Sequence, residues 1–155
     1  MCDWSNSMHV VPCGYMAYWL IKTSPDLFSW DMLAERGKTR WDGVRNYQAR
    51  NYMREMKPGD LALIYQSGEE AGVFGIAKIA SEPYDDPTTE EGNWSVIEVE
   101  PVTKFTRMVS QDELRYTPIV NILQLFNQPK LSVMPVTGPQ WELILRIGKT
   151  SLPTT

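Results

Sequence analysis

A chain of 155 residues suffices for one domain with a buried core, and its 43% apolar and 22% charged content is that of a globular protein. No apolar run reaches the roughly 18 residues that a membrane-spanning helix needs, and the opening residues lack the basic start of a secretory signal. The net charge of −4 argues against a general nucleic-acid coat, and two cysteines, both near the N-terminus, give no disulfide framework. These features predict an intracellular protein, cytoplasmic, or nuclear in a eukaryote.

In chain order, residues 1–16 show no clear period and are predicted to form a flexible extension. Cys2, Asp3, His9 and Cys13 are metal-ligand types, but their spacing matches no common zinc pattern, so no metal is expected. The aromatic and branched run 18–22 reads as a buried central strand that ends before Pro25. Ser29 caps a short helix over 30–35 that stops at Gly37.

The stretch from Trp41 to Asn51 holds two aromatics, two arginines, two asparagines and a glycine. Asp42 and Gly43 are turn formers, and Asp42 is able to cap a helix. From Asn46 on a helix follows, whose apolar face is Ala49, Tyr52, Met53 and Met56. Tyr47, Arg50 and Arg54 lie off that face, and Arg45 precedes the helix, so packing does not account for them. Residues 36–57 carry seven basic side chains against Asp42 and Glu55, a local +5 on a remainder of −9. A turn presenting Trp41 beside arginines and a tyrosine suits a flat, anionic ligand such as a nucleotide. The same residues would also serve as a helix plug with a solvated basic face.

Residues 57–60 form a turn that launches a strand at 61–65, and a polar hairpin tip at 68–72 returns an antiparallel strand at 73–80. An acidic loop fills 81–93, and 94–109 reads as a long strand bent at Pro101. Ser110 caps a helix at 111–114, 119–126 is loosely helical, 131–136 is a last strand, and Pro139 starts a helix through Ile147. Five strands with hairpin-like spacing and short helices predict a small mixed α+β barrel. There is no internal repeat.

Several chemistries lack their residues. The lone histidine, His9, lies in the extension, which removes a Ser–His–Asp or Cys–His engine from the domain. No Walker lysine loop or Gly-x-Gly-x-x-Gly cradle is present, and no cofactor is called for. What remains is aromatic stacking with hydrogen bonds, which holds nucleobases. Trp19 and Trp141 are assigned to the core, and Trp30, Trp41, Tyr47 and Tyr65 to a pocket.

The runs Tyr18-Trp19-Leu20-Ile21-Lys22, Trp41 to Asn51, and Met56-Lys57-Pro58-Gly59-Asp60 resemble the EVE domain family. Gly75-Ile76-Ala77, Tyr84-Asp85-Asp86-Pro87-Thr88 and residues 131–136 extend the resemblance, which places the domain at 17–148 and a tail at 149–155. It implies a PUA-like mixed five- to six-stranded β-barrel with short helices packed at its ends, related to the YTH domains. It also implies a non-catalytic module that binds nucleic acid carrying a modified base (5-methylcytosine, 5-hydroxymethylcytosine or a methylated RNA base) flipped into an aromatic pocket. Carried over, Trp41 would be a cage wall, Lys22 and Thr23 the pocket edge, and Arg45, Asn46, Tyr47 and Arg50 the cleft lining. Ser24, Trp30, Val44, Tyr65 and Ser67 complete the ligand-binding set. Ser24 stands where the family usually has a glutamate, which removes a strong acceptor. The alternative is an ASCH-type amidohydrolase acting on a modified nucleoside through Lys22 and Thr23. A protein-interaction adaptor is a third reading.

Overall fold

The computed structural model describes residues 17–151 except 25, 27, 43, 91–93 and 129, and the backbone alone at 122. The expected extension and its metal-type side chains lie outside the described residues. Among those described, seven strands form a curled mixed sheet, a half-barrel, with short helices on it.

The centre is β3 (Leu61–Gln66), every residue of which is buried. An unbroken apolar run suits a strand covered on both faces. On one side it pairs in parallel with β1 (Tyr18–Thr23), which pairs antiparallel with β7 (Val133–Val136). On the other side it pairs antiparallel with β4 (Gly72–Ile79), and β4 with the 16-residue β6 (Ser95–Ser110). Register shifts between Val73 and Gly75 and between Ile76 and Ala77 bend β6 around the core, as bulges do. Two short strands on β6 complete the sheet, β2 (Thr39–Trp41) and β5 (Tyr84–Asp85). Both fall where the sequence reads as loop, which is why the strand count exceeds the expected five or six.

The parallel β1–β3 pair needs a crossover, and it carries α1 (Trp30–Arg36), β2 and α2 (Tyr47–Glu55). Ser29 caps α1 and Gly37 ends it with φ of 75°. Asn46, not Asp42, caps α2: its Oδ1 accepts from the Ala49 amide at 2.9 Å. β2 runs through Trp41, so the helix cannot begin at Asp42, which pairs with Arg40 at 2.9 Å instead. The expected face of α2 packs inward, with Ala49, Met53 and Met56 buried.

At the far end, α3 (Gln111–Arg115) is capped by Ser110, and the loosely helical stretch resolves into a 3₁₀ turn (Val120–Ile122) and α4 (Gln124–Asn127). Thr137 caps α5 (Gly138–Ile147), which buries Trp141, Ile144 and Leu145. Trp141 stacks on Tyr18 with centroids 4.3 Å apart. Residues 149–150, assigned to a tail, still belong to the fold, because the Thr106 amide donates to Thr150 Oγ1 at 2.8 Å. The buried Asp60 carboxylate gathers Trp19 Nε1, the Lys57 amide and the Ala17 amide within 3.1 Å. It fixes the turn before β3 to the start of β1.

Candidate nucleic-acid interface

β1 ends where the crossover returns, and a cleft of about 820 Å³ opens there. One wall is the end of β1, Lys22 to Ser24. A second is β2 and the segment after it, from Thr39 through Trp41 to Asn46. Phe28 and Arg36 close one side, and Lys130 and Ser132, ahead of β7, close the other.

Local hydrogen bonds set each wall. The Lys22 amide donates to the Ser132 carbonyl at 2.8 Å, which brings the β7 approach to the cleft. Thr23 Oγ1 donates to the Phe28 carbonyl at 2.8 Å and closes the loop after β1. Trp41 is only 8% exposed and meets Phe28 edge to face, 5.4 Å apart at 85°. The favourable quadrupole geometry of that pair holds both rings. Arg36 lies 5.3 Å over Phe28. Asn46 commits its Oδ1 to the α2 cap, so its amide Nδ2 has the donor capacity to spare.

Arg45 is the most tightly held cation of the cleft. Its Nη1 donates to the Val44 carbonyl at 2.9 Å and to Asp86 Oδ2 at 3.0 Å, and Nη2 reaches Thr88 Oγ1 at 3.4 Å. The Asp86 side chain is withdrawn from solvent while Arg45 remains 40% exposed. The lining carries five cations, Lys22, Arg36, Arg40, Arg45 and Lys130, and one acid, Asp42, with the Asp86 carboxylate behind Arg45. Burial lowers the pKa of the Lys22 ammonium from its ordinary 10.5.

Of the residues expected at a binding site, Lys22, Thr23, Ser24, Trp41, Val44, Arg45 and Asn46 line this one cleft. Five do not. Trp30 is the first residue of α1, where its side chain faces the sheet; it is 3% exposed and its ring presses on Gly75. Tyr65 is 2% exposed because both faces of β3 are covered, and that burial raises its phenol pKa. Ser67 supports Thr23 from behind, its amide donating to the Thr23 carbonyl at 2.8 Å. Tyr47 and Arg50 stand outside: Tyr47 is 66% exposed and stacks on Trp94 at 4.9 Å, with Arg50 5.0 Å from its ring. Arg54 instead donates to Ser95 Oγ at 3.0 Å.

The sequence reading missed Thr39, which β2 brings in, and Phe28, Lys130 and Ser132. Nothing in their local pattern marks them, since the β1–β7 pairing and the Thr23–Phe28 bond bring them in. Of the two residues the amidohydrolase alternative uses, Lys22 and Thr23, both line the cleft, and the Thr23 hydroxyl donates to the Phe28 carbonyl. Among the described residues no cluster of three His, Cys, Asp or Glu side chains forms a metal site, and no helix is long and apolar enough to cross a membrane.

A curled mixed half-barrel with a cationic, aromatic-walled cleft at the end of β1 defines a PUA-like domain. Residues 17–147 match the family model of the EVE domain, and the chain belongs to that family. It is 32% identical to human thymocyte nuclear protein 1 over 166 residues, 84% of this chain and 73% of that protein. The solved structure of the human protein in complex with DNA containing 5-methylcytosine superposes with a TM-score of 0.79 at 30% identity, over 88% of this chain and 99% of that one. A Pseudomonas syringae protein of solved structure is 41% identical, with a TM-score of 0.80, over 85% and 99% of the two chains. The YTH domain of the Zygosaccharomyces rouxii MRB1 protein shares the fold alone, with a TM-score of 0.57 at 15% identity over 92% of each chain.

Proposed function

We propose that this chain is a non-catalytic reader of a modified nucleobase, taken into the cleft from a DNA or RNA strand. The observation that carries the reading is the lining itself: a pocket of about 820 Å³ with Trp41 and Phe28 in its wall and five cations around it. The rings supply stacking and exclude water, and the cations hold the phosphates on either side of an extruded nucleotide. Arg36, Arg40 and Arg45 take that role from one side and Lys130 from the other. The complex of human thymocyte nuclear protein 1 with 5-methylcytosine DNA makes a methylated cytosine the first base to test.

Binding to oligonucleotides with unmodified cytosine, 5-methylcytosine, 5-hydroxymethylcytosine or N6-methyladenine, as DNA and as RNA, at two salt concentrations tests it. One modification should be preferred at both salts. Uniform binding that salt abolishes would reduce the cleft to a basic patch. Trp41→Ala is a poor probe, because emptying a buried tryptophan site costs about 3–5 kcal/mol of stability. Trp41→Leu keeps an apolar side chain in part of that space and removes the ring, and should weaken the preferred ligand by about 1–3 kcal/mol. An unchanged dissociation constant would remove Trp41 from the base contacts.

A further inference from the structure

Beside the cleft stands a second aromatic feature that the reading above does not use. Tyr47 stacks on Trp94 with centroids 4.9 Å apart and planes 22° from parallel. Arg45, which lines the cleft, lies 5.5 Å over the Trp94 ring. Arg50 is 5.0 Å from the Tyr47 centroid and 5.8 Å from that of Trp94. A cation capping the outer face of Tyr47 would stand about 10 Å from Trp94 in such a stack. Arg50 therefore does not stand in line with the stack beyond Tyr47, and Tyr47 is 66% exposed.

We propose that the outer face of Tyr47 is a stacking station for the nucleobase next to the one in the cleft. This rests on the proposed reading of the cleft and extends it from a single base to a short strand. Three observations converge on that occupant. Tyr47 directly follows Asn46, which lines the cleft, so the station lies one short step away. Arg45 and Arg50 bracket the stack with positive charge, as a phosphate between two nucleotides requires. An extruded base also leaves its neighbour with an unstacked face, and an exposed tyrosine backed by tryptophan replaces the lost partner.

Equilibrium binding of the full chain to three probes tests the station. They are 5-methyl-2′-deoxycytidine monophosphate, a single-stranded DNA trinucleotide with 5-methylcytosine at its centre, and the same trinucleotide with abasic residues on both flanks. The abasic probe keeps both phosphates and lacks only the flanking bases. The intact trinucleotide should bind at least about fivefold more tightly than the abasic one. Tyr47→Ala should erase that difference and leave the monophosphate unaffected, while Tyr47→Phe should retain it. Equal binding of the two trinucleotides by the native chain would overturn the station, as would an equal loss of monophosphate binding in Tyr47→Ala. A flank preference that depends on Tyr47, without monophosphate binding and without an effect of Trp41→Leu, would sink the cleft reading, overturn the station as a neighbour of the cleft and leave Tyr47 a base contact of its own. Absence of binding to all three probes would remove both.

Discussion

Asp86 is withdrawn from water, yet it carries a charge that Arg45 balances at 3.0 Å and that the Thr88 amide and hydroxyl help to hold. Arg45 is half-exposed and able to rehydrate if the pair is broken, whereas the carboxylate is not. The two ends of the pair therefore differ in what their removal costs. Arg45→Met should lower the unfolding free energy by about 1–3 kcal/mol, the usual loss when a buried polar group forfeits one of its hydrogen bonds. Adding Asp86→Asn to that variant should recover part of the loss, because the stranded charge is then gone. Urea denaturation of the single and double variants measures both, and a double variant less stable than Arg45→Met would show that the two residues do not act as a pair. If the cleft binds as proposed, Asp86 acts there as a positioning residue, through the Arg45 guanidinium that it holds beside Trp94.

At the scale of elements, α2 is capped by Asn46, which lines the cleft, and carries Tyr47 of the outer stack and Arg50 beside it. Its first turn holds no acidic side chain, so the Asn46 carbonyl has no help from one in satisfying the exposed amides there. Asn46→Ala should cost about 1 kcal/mol of stability, and Asn46→Asp should retain most of it. Thermal unfolding compares the three proteins, and an Asn46→Ala midpoint equal to the native one would deny the cap a role. This helix was legible because its apolar spacing is regular. β2 was not, since three residues with a polar middle make no pattern until β6 pairs with them. The same limit applies to Lys130 and Ser132, which reach the cleft only through pairing between strands more than a hundred residues apart. For Trp30 and Tyr65 the error was of another kind. Residue type suggested a ligand, but the first position of a helix and a strand covered on both faces direct rings into the core.

Across the molecule, charge is less lopsided than a count along the chain suggests. Of the +5 of the stretch 36–57, two charges meet acids outside it, Lys38 at Glu98 and Arg45 at Asp86, while Arg40 meets Asp42 within it. The cleft keeps its positive character partly from residues outside that stretch, Lys22 and Lys130. Lys22 is the one whose titration reports on the fold. Burial disfavours its ammonium, so its pKa in the folded chain is below the ordinary 10.5. Between those two values the unfolded chain binds more protons than the folded one, and stability contributed by this group rises with pH across that window. Below the window the penalty is constant and fully present. The native chain should consequently gain stability relative to Lys22→Met as pH rises toward 10.5. If the ammonium also holds a phosphate, ligand affinity should fall over the same window in the native chain and stay flat in Lys22→Arg, whose guanidinium does not titrate there. Denaturation and anisotropy titrations from pH 7 upward separate the two effects. An affinity that declines equally in both proteins would place the titrating group elsewhere.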